Sequence, residues 1–247
     1  MEQLVFSLSV FVIIEKRTPF PLIDFKLLAN KVILSANIIN MTVGITALMV
    51  VYQSIPILVR SPFPVGFGGN ALSIANVQLR YVTISLIFSV ASGFVISKFG
   101  NLRSTILGTI VTTIGFFALS LLHSTEASIA EILVLIAVGL SLMQIGSVNI
   151  VLTSTPRQFG GISLGMNLLI YLIGSSVGSV IAGILMQANQ VFVKSNSISA
   201  SFPFPESYSL IFLMATLISA TSIIFALLLN RIRSNRSGDL KAIGVPI

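Results

Sequence analysis

The chain has 247 residues, 55% of them hydrophobic and 9% charged, with 14 Lys and Arg against 7 Asp and Glu and a formal charge of +7. A soluble domain carries about 25% charged residues, so these proportions exclude one, and with it the soluble basic face that nucleic-acid binding needs. Zero Cys and one His, His123, exclude disulfides, thiolate metal sites and any metal centre built on several imidazoles; no metal and no cofactor is expected.

The first apolar stretch, Leu4 to Ile14, supplies about half of the roughly 20 residues a helix needs to cross a bilayer. Glu2 stands where a signal peptide would be positive, and no small-residue cleavage site follows. Residues 1–17, closing on Glu15-Lys16-Arg17, are therefore expected to end a preceding transmembrane helix, with an interfacial segment as the other reading. Residues 18–31 read as a cytoplasmic amphipathic lead-in. Six runs of spanning length then fill residues 32–230: Val32 to Leu58, Leu79 to Ser97, Ser104 to Leu122, Ile132 to Thr153, Ile162 to Gln187 and Tyr208 to Leu229. Barrel strands would alternate over about ten residues, and these runs do not. The expected fold class is all-α, a polytopic six-helix membrane bundle preceded by a partial helix.

The basic residues sort into every second gap. Lys16, Arg17, Lys26 and Lys31 precede the first run, Lys98 and Arg103 separate the second from the third, and Arg157 separates the fourth from the fifth. Arg231, Arg233, Arg236 and Lys241 lie in the tail, residues 231–247. The remaining gaps hold Arg60 and Lys194 together with Glu126, Glu131 and Glu206. Cytoplasmic loops carry the Lys/Arg excess, so the first span is expected to start inside and the C-terminus to be cytoplasmic, in a cell membrane. His123 falls at an outer helix end, as a plain interfacial histidine. The Ser-rich segment Val191 to Ser207 is expected to be an irregular, mobile outer loop.

Between the second and third spans the chain reads Gly93-Phe-Val-Ile-Ser97-Lys98-Phe99-Gly100-Asn101-Leu102-Arg103. Gly100 permits a tight turn, and Lys98 and Arg103 anchor both helices at the inner headgroups. This resembles the signature loop of the major facilitator superfamily, with Ser97 where the family usually carries Asp. Pro21 to Lys31 is similar to the lead-in to the ninth helix of the fourteen-span drug/proton antiporter branch. Thr155-Pro156-Arg157 followed by Gly161, Gly165, Asn167, Gly174 and Gly178 is similar to that branch's penultimate helix, with Tyr171 where Arg often stands. The resemblance runs from about Leu4 to Arg233. It implies the C-terminal half of a secondary transporter, the N-terminal bundle lying outside these residues.

Polar residues inside spans are costly and tend to face a bundle interior or an aqueous cavity. They sit in the first span (Asn37, Asn40, Gln53), the second (Gln78, Arg80), the fourth (Gln144, Asn149) and the fifth (Asn167, Tyr171, Gln187). The third and sixth interiors have only Ser and Thr, and the resemblance implies that those two helices are peripheral. Gln144 lies about 20 Å along its helix from Glu131 and Arg157, and Asn167 about 15 Å from Arg157, both near mid-membrane. Gln144, Asn167, Tyr171, Asn40 and Asn37 are thus cavity-lining candidates; amide bonding between helices is the competing reading. Arg80 is either a snorkelling residue near the outer interface or a cavity residue favouring anions. Gly174 and Gly178, in GxxxG spacing, suit close helix packing.

No run interior contains Asp or Glu, so a proton relay would have to reside elsewhere. The resemblance implies proton-coupled efflux of small amphipathic compounds by alternating access, and no enzyme activity. Expected partners are the lipid bilayer, a small-molecule substrate, and an N-terminal transporter half or a second copy. A non-transporting membrane protein or assembly partner is the alternative.

Overall fold

The computed structural model describes Val10 and residues 25–195 and 198–242; the half-span Leu4 to Ile14, Val10 apart, and most of the lead-in lie outside the described residues. Six long helices follow a one-turn helix at Phe25–Leu28: α1 (Lys31–Arg60), α2 (Ala71–Phe99), α3 (Asn101–Leu121), α4 (Glu126–Ser154), α5 (Gly160–Ala188) and α6 (Pro205–Ala242). All six are long and apolar enough to span a membrane. The fold is an all-α polytopic membrane bundle.

Helices outrun their apolar runs where a cap is at hand. The Asn70 side chain accepts from the Ser73 amide at 3.1 Å, so α2 starts at Ala71 rather than Leu79. The Thr125 hydroxyl accepts from the Ser128 amide at 3.1 Å, so α4 starts at Glu126 rather than Ile132. The apolar run marks the hydrocarbon; the helix continues into the headgroup layer, where a polar N-cap satisfies its first amides. At the other side of the membrane Gly100, with φ +85°, is the single residue between α2 and α3. That backbone region strains any residue with a Cβ.

The segment between α5 and α6 corrects one expectation. It is an antiparallel hairpin of β1 (Gln190–Ser195) and β2 (Ile198–Pro203), pairing Gln190 with Pro203 through to Ser195 with Ile198. Alternating Val191, Val193 and Ile198, Ala200 favour strands, a pattern that the high Ser content hid. The Arg60 end of α1 is closed differently. Amides of Phe67, Gly68 and Gly69 turn back onto the carbonyls of Leu58, Ser61 and Val59 at 3.3, 2.7 and 2.8 Å, satisfying the orphan groups of the helix end.

Helices α1 and α4 form the centre. Helix α1 packs on α4, α5 and α6, and α4 packs on α1, α2 and α3, while α3 and α6 pack on each other. Exchanging α1 with α4, α2 with α5 and α3 with α6 maps this pattern onto itself. Contacts ascend together along α1 and α5, from Asn37–Asn167 to Gln53–Ser179, so these helices are parallel. They run oppositely along α3 and α6, from Thr113–Ser219 to His123–Ser209. The bundle is thus two three-helix units of inverted direction. In the most apolar stretch of each helix, 67% of α1 and 61% of α4 is buried, against 11% of α2 and 22% of α5. The outer pair therefore flanks a face of the central pair that no other described helix covers.

Candidate functional site

The face opposite α6 is marked on α1 by Leu34, Ile38, Met41, Leu48 and Tyr52, all at least partly exposed and three, four or seven residues apart. Its focus is a break in the helix. Residues Ala47–Ser54 are wound as a π-helix, and the cause is Pro56. In an α-helix the Pro56 ring would strike the Tyr52 carbonyl four residues back and leave it without a donor. In the wider winding the Ile55 amide bonds Val50 instead, and the carbonyl that loses its donor is that of Val51. Gln78 of α2 supplies the bond, Nε2 to the Val51 oxygen at 2.9 Å. The Ser54 hydroxyl donates to Met49, five residues back, at 2.6 Å.

This break joins the two flanks. Val51 is bonded by α2, and Gln53 Oε1 accepts from Ser179 Oγ of α5 at 2.7 Å. Between them Tyr52 meets Tyr81 of α2 edge to face, with ring centroids 6.0 Å apart at 89°. Tyr171 of α5 lies against α1 two turns before Tyr52, its carbonyl standing where a Cβ on Gly44 would be. Two of the chain's four tyrosines thus meet ring to ring, and a third, Tyr171, stands on the neighbouring helix that packs on α1. Tyr81 is 6% exposed, whereas Tyr52 is 49% exposed.

The candidate residues divide into groups. Asn37, Asn40 and Asn167 come together away from the open face, at 1%, 2% and 2% exposure. Asn40 Nδ2 donates to Asn167 Oδ1 at 2.8 Å and to its backbone oxygen at 3.1 Å; Asn167 Nδ2 donates to Asn37 Oδ1 at 2.8 Å. Asn37 Nδ2 and Asn40 Oδ1 have no partner in this cluster. Tyr171, one turn along α5, is half-buried beside the tyrosine pair, and its backbone oxygen accepts from Ser175 Oγ at 3.0 Å. Gln144 is exposed on α4, and Arg80 is exposed on α2. Of the signature loop, Gly100 makes the turn, Lys98 stands over the Phe99 ring at 5.7 Å, and Gly93 and Arg103 are exposed. Among the described residues no group of three His, Asp or Glu converges.

Tyr52 and Tyr81 were absent from the sequence-based candidates. The available signals were a chain with four Tyr and no Trp, and a Pro within the first span. Tyr normally sits at the membrane interface, so Tyr52, well inside the first run, stands out, whereas Tyr81 lies two residues into the second. His123 also has a structural place: its ring links the last turn of α3, through the Leu119 oxygen at 3.0 Å, to Ser209 of α6 at 3.3 Å.

The fold and the open face define a polytopic bundle of two inverted helix triplets. No family model matches the chain. It is similar to the quinolone resistance protein NorB of Staphylococcus aureus strain MRSA252, with 24% identity over 182 residues, 72% of this chain and 38% of that protein. The same protein from strains JH9 and Newman matches with the same identity and coverage. The chain thus spans less than two fifths of the length of these curated relatives (38%).

Proposed function

We propose that this chain forms one wall of a secondary active transporter of the major facilitator type, the C-terminal half, exporting small amphipathic compounds. The observation that carries this reading is the inverted packing pattern, which leaves one side of α1, marked by Leu48 and Tyr52, uncovered between α2 and α5. Transporter sites lie at the interface of such repeats near the bilayer midplane. The similarity to a quinolone resistance protein supports efflux. The opposite wall comes from a second bundle, and proton coupling is assigned to it, because no Asp or Glu lies in the middle turns of the described spans. Gln144 and Tyr171 are the candidates for the cavity surface, joined by Tyr52. Asn37, Asn40 and Asn167 hold α1 against α5 from behind it.

The test is norfloxacin accumulation in a drug-sensitive bacterium expressing this chain alone, or together with the N-terminal half of such an antiporter. Reduced accumulation that a protonophore abolishes is expected with both halves. Equal accumulation in every strain, with both chains present in the membrane, would sink the transport reading.

A further inference from the structure

Tyr52 poses a problem for a membrane helix. It lies eight residues from the end of α1 at Arg60, about 12 Å along the helix, and half of it is exposed. A phenol within a membrane span needs a hydrogen-bond partner, because leaving the hydroxyl without one is costly. Tyr81 of α2 on one side, and on the other α5, bonded through Ser179 to the adjacent Gln53, place the ring on the open face between those helices. The ring is also held in place: Gln78 and Ser179 tie the residues on either side of it, Val51 and Gln53, to the flanking helices. A fixed aromatic face, backed by a second ring, is thus presented to whatever enters the cavity.

The surroundings define what it would take. Along the α1 stripe the neighbours are Met41, Leu48 and Tyr52, with amides at Gln53 and Gln78. None of these carries a formal charge. Recognition here works through ring faces, phenol hydroxyls and amides. We propose that Tyr52, Tyr81 and Tyr171 form the contact site for a flat aromatic ring system with hydrogen-bonding substituents, Tyr52 being the surface on which that ring packs. The assignment deepens the transporter reading and rests on it for the identity of the face. Offset-stacked and edge-to-face arrangements are the favourable ones for such ring pairs, and the edge-to-face Tyr52–Tyr81 pair already has this form.

The absence of Trp makes the site readable, because tyrosine is then the chain's intrinsic emitter and three of four tyrosines are at the site. The full chain in lipid nanodiscs is titrated with norfloxacin and its tyrosine emission followed. Saturable quenching is expected. Tyr52→Leu, which keeps bulk without the ring, should weaken binding about tenfold, an effect of the size aromatic pairs contribute. Tyr52→Phe should bind within about twofold of the parent, since the ring is retained. Tyr208→Phe, which removes the emitter outside the site, should leave affinity unchanged. Helical circular dichroism through a melt confirms that each variant is folded. No saturable quenching in the parent chain, or Tyr52→Leu binding as tightly as the parent, would overturn the site. The two proposals separate in the cell assay. Efflux by both halves that is unchanged in Tyr52→Leu overturns the site and leaves the transporter; Tyr52-dependent binding without efflux does the reverse.

Discussion

Two seams of the bundle use small residues and differ in what else they use. Between α3 and α4, a Cβ on Gly108 would lie 2.8 Å from the Met143 amide nitrogen, and one on Gly139 would strike Thr112. The hydroxyls here turn inward: Thr105 donates to Asn101 at 2.7 Å and Thr109 to Ile106 at 2.8 Å, both on their own helix. Between α1 and α5, a Cβ on Gly174 or Gly178 would strike the Met41 or Ile45 carbonyl, and one on Gly44 would strike that of Tyr171. Yet this seam is also bonded across, by the three asparagines at one end and Gln53–Ser179 at the other. Shape alone holds the first seam. Shape and register-specific hydrogen bonds hold the second, which carries Tyr171 and the π-helical break. The difference teaches that, of these two seams, the one bonded across is the one that positions the open face.

Added volume should produce the largest effect and fall on both seams alike. Gly178→Leu and Gly139→Leu each force backbone apart, so each should cost about 3 kcal/mol or more, read as loss of the folded fraction in denaturant titrations in detergent. Tolerance of Leu at Gly165, where a Cβ meets nothing within 4 Å, would confirm that packing is the cause.

Deleting polarity should separate the seams. Asn167→Leu removes both side-chain bonds of the amide cluster, leaving Asn40 only the backbone oxygen of residue 167, and should destabilise the bundle by about 1–2 kcal/mol, the scale of interhelical hydrogen bonds in membranes. A smaller loss than that of Thr112→Val would break the distinction.

The smallest effect is expected at Thr112, whose hydroxyl is buried without a partner. Thr112→Val removes an unsatisfied group at nearly constant volume. Its effect should lie within about 0.5 kcal/mol of zero or be stabilising, checked by the same titration.

Much of the architecture was legible because the bilayer simplifies the problem. Apolar length marks each span, and Gly100 between Lys98 and Arg103 marked a tight turn that the backbone confirms with its positive φ. The amides were legible as unusual. Their partners were not, since Asn40 and Asn167 are 127 residues apart and meet only when α1 and α5 pack in parallel. The hairpin was missed because serine content outweighed a short alternating pattern in a loop that ends on Pro203 and Pro205.

Pro56 shows where the division falls. The chain alone dictates that an amide is missing there and that the helix cannot pass unchanged, because proline has no N–H and its ring occupies the path of a carbonyl. Span number, helix starts and the Gly100 turn follow from local chemistry of the same kind. Which carbonyl lost its donor, that Gln78 on another helix would replace it, and that Tyr52 would thereby face Tyr81 and the open side were decided by tertiary packing. Hydrogen-bond partners and ring contacts between helices depend on rotation and register, and those are set only when the glycine surfaces of neighbouring helices meet.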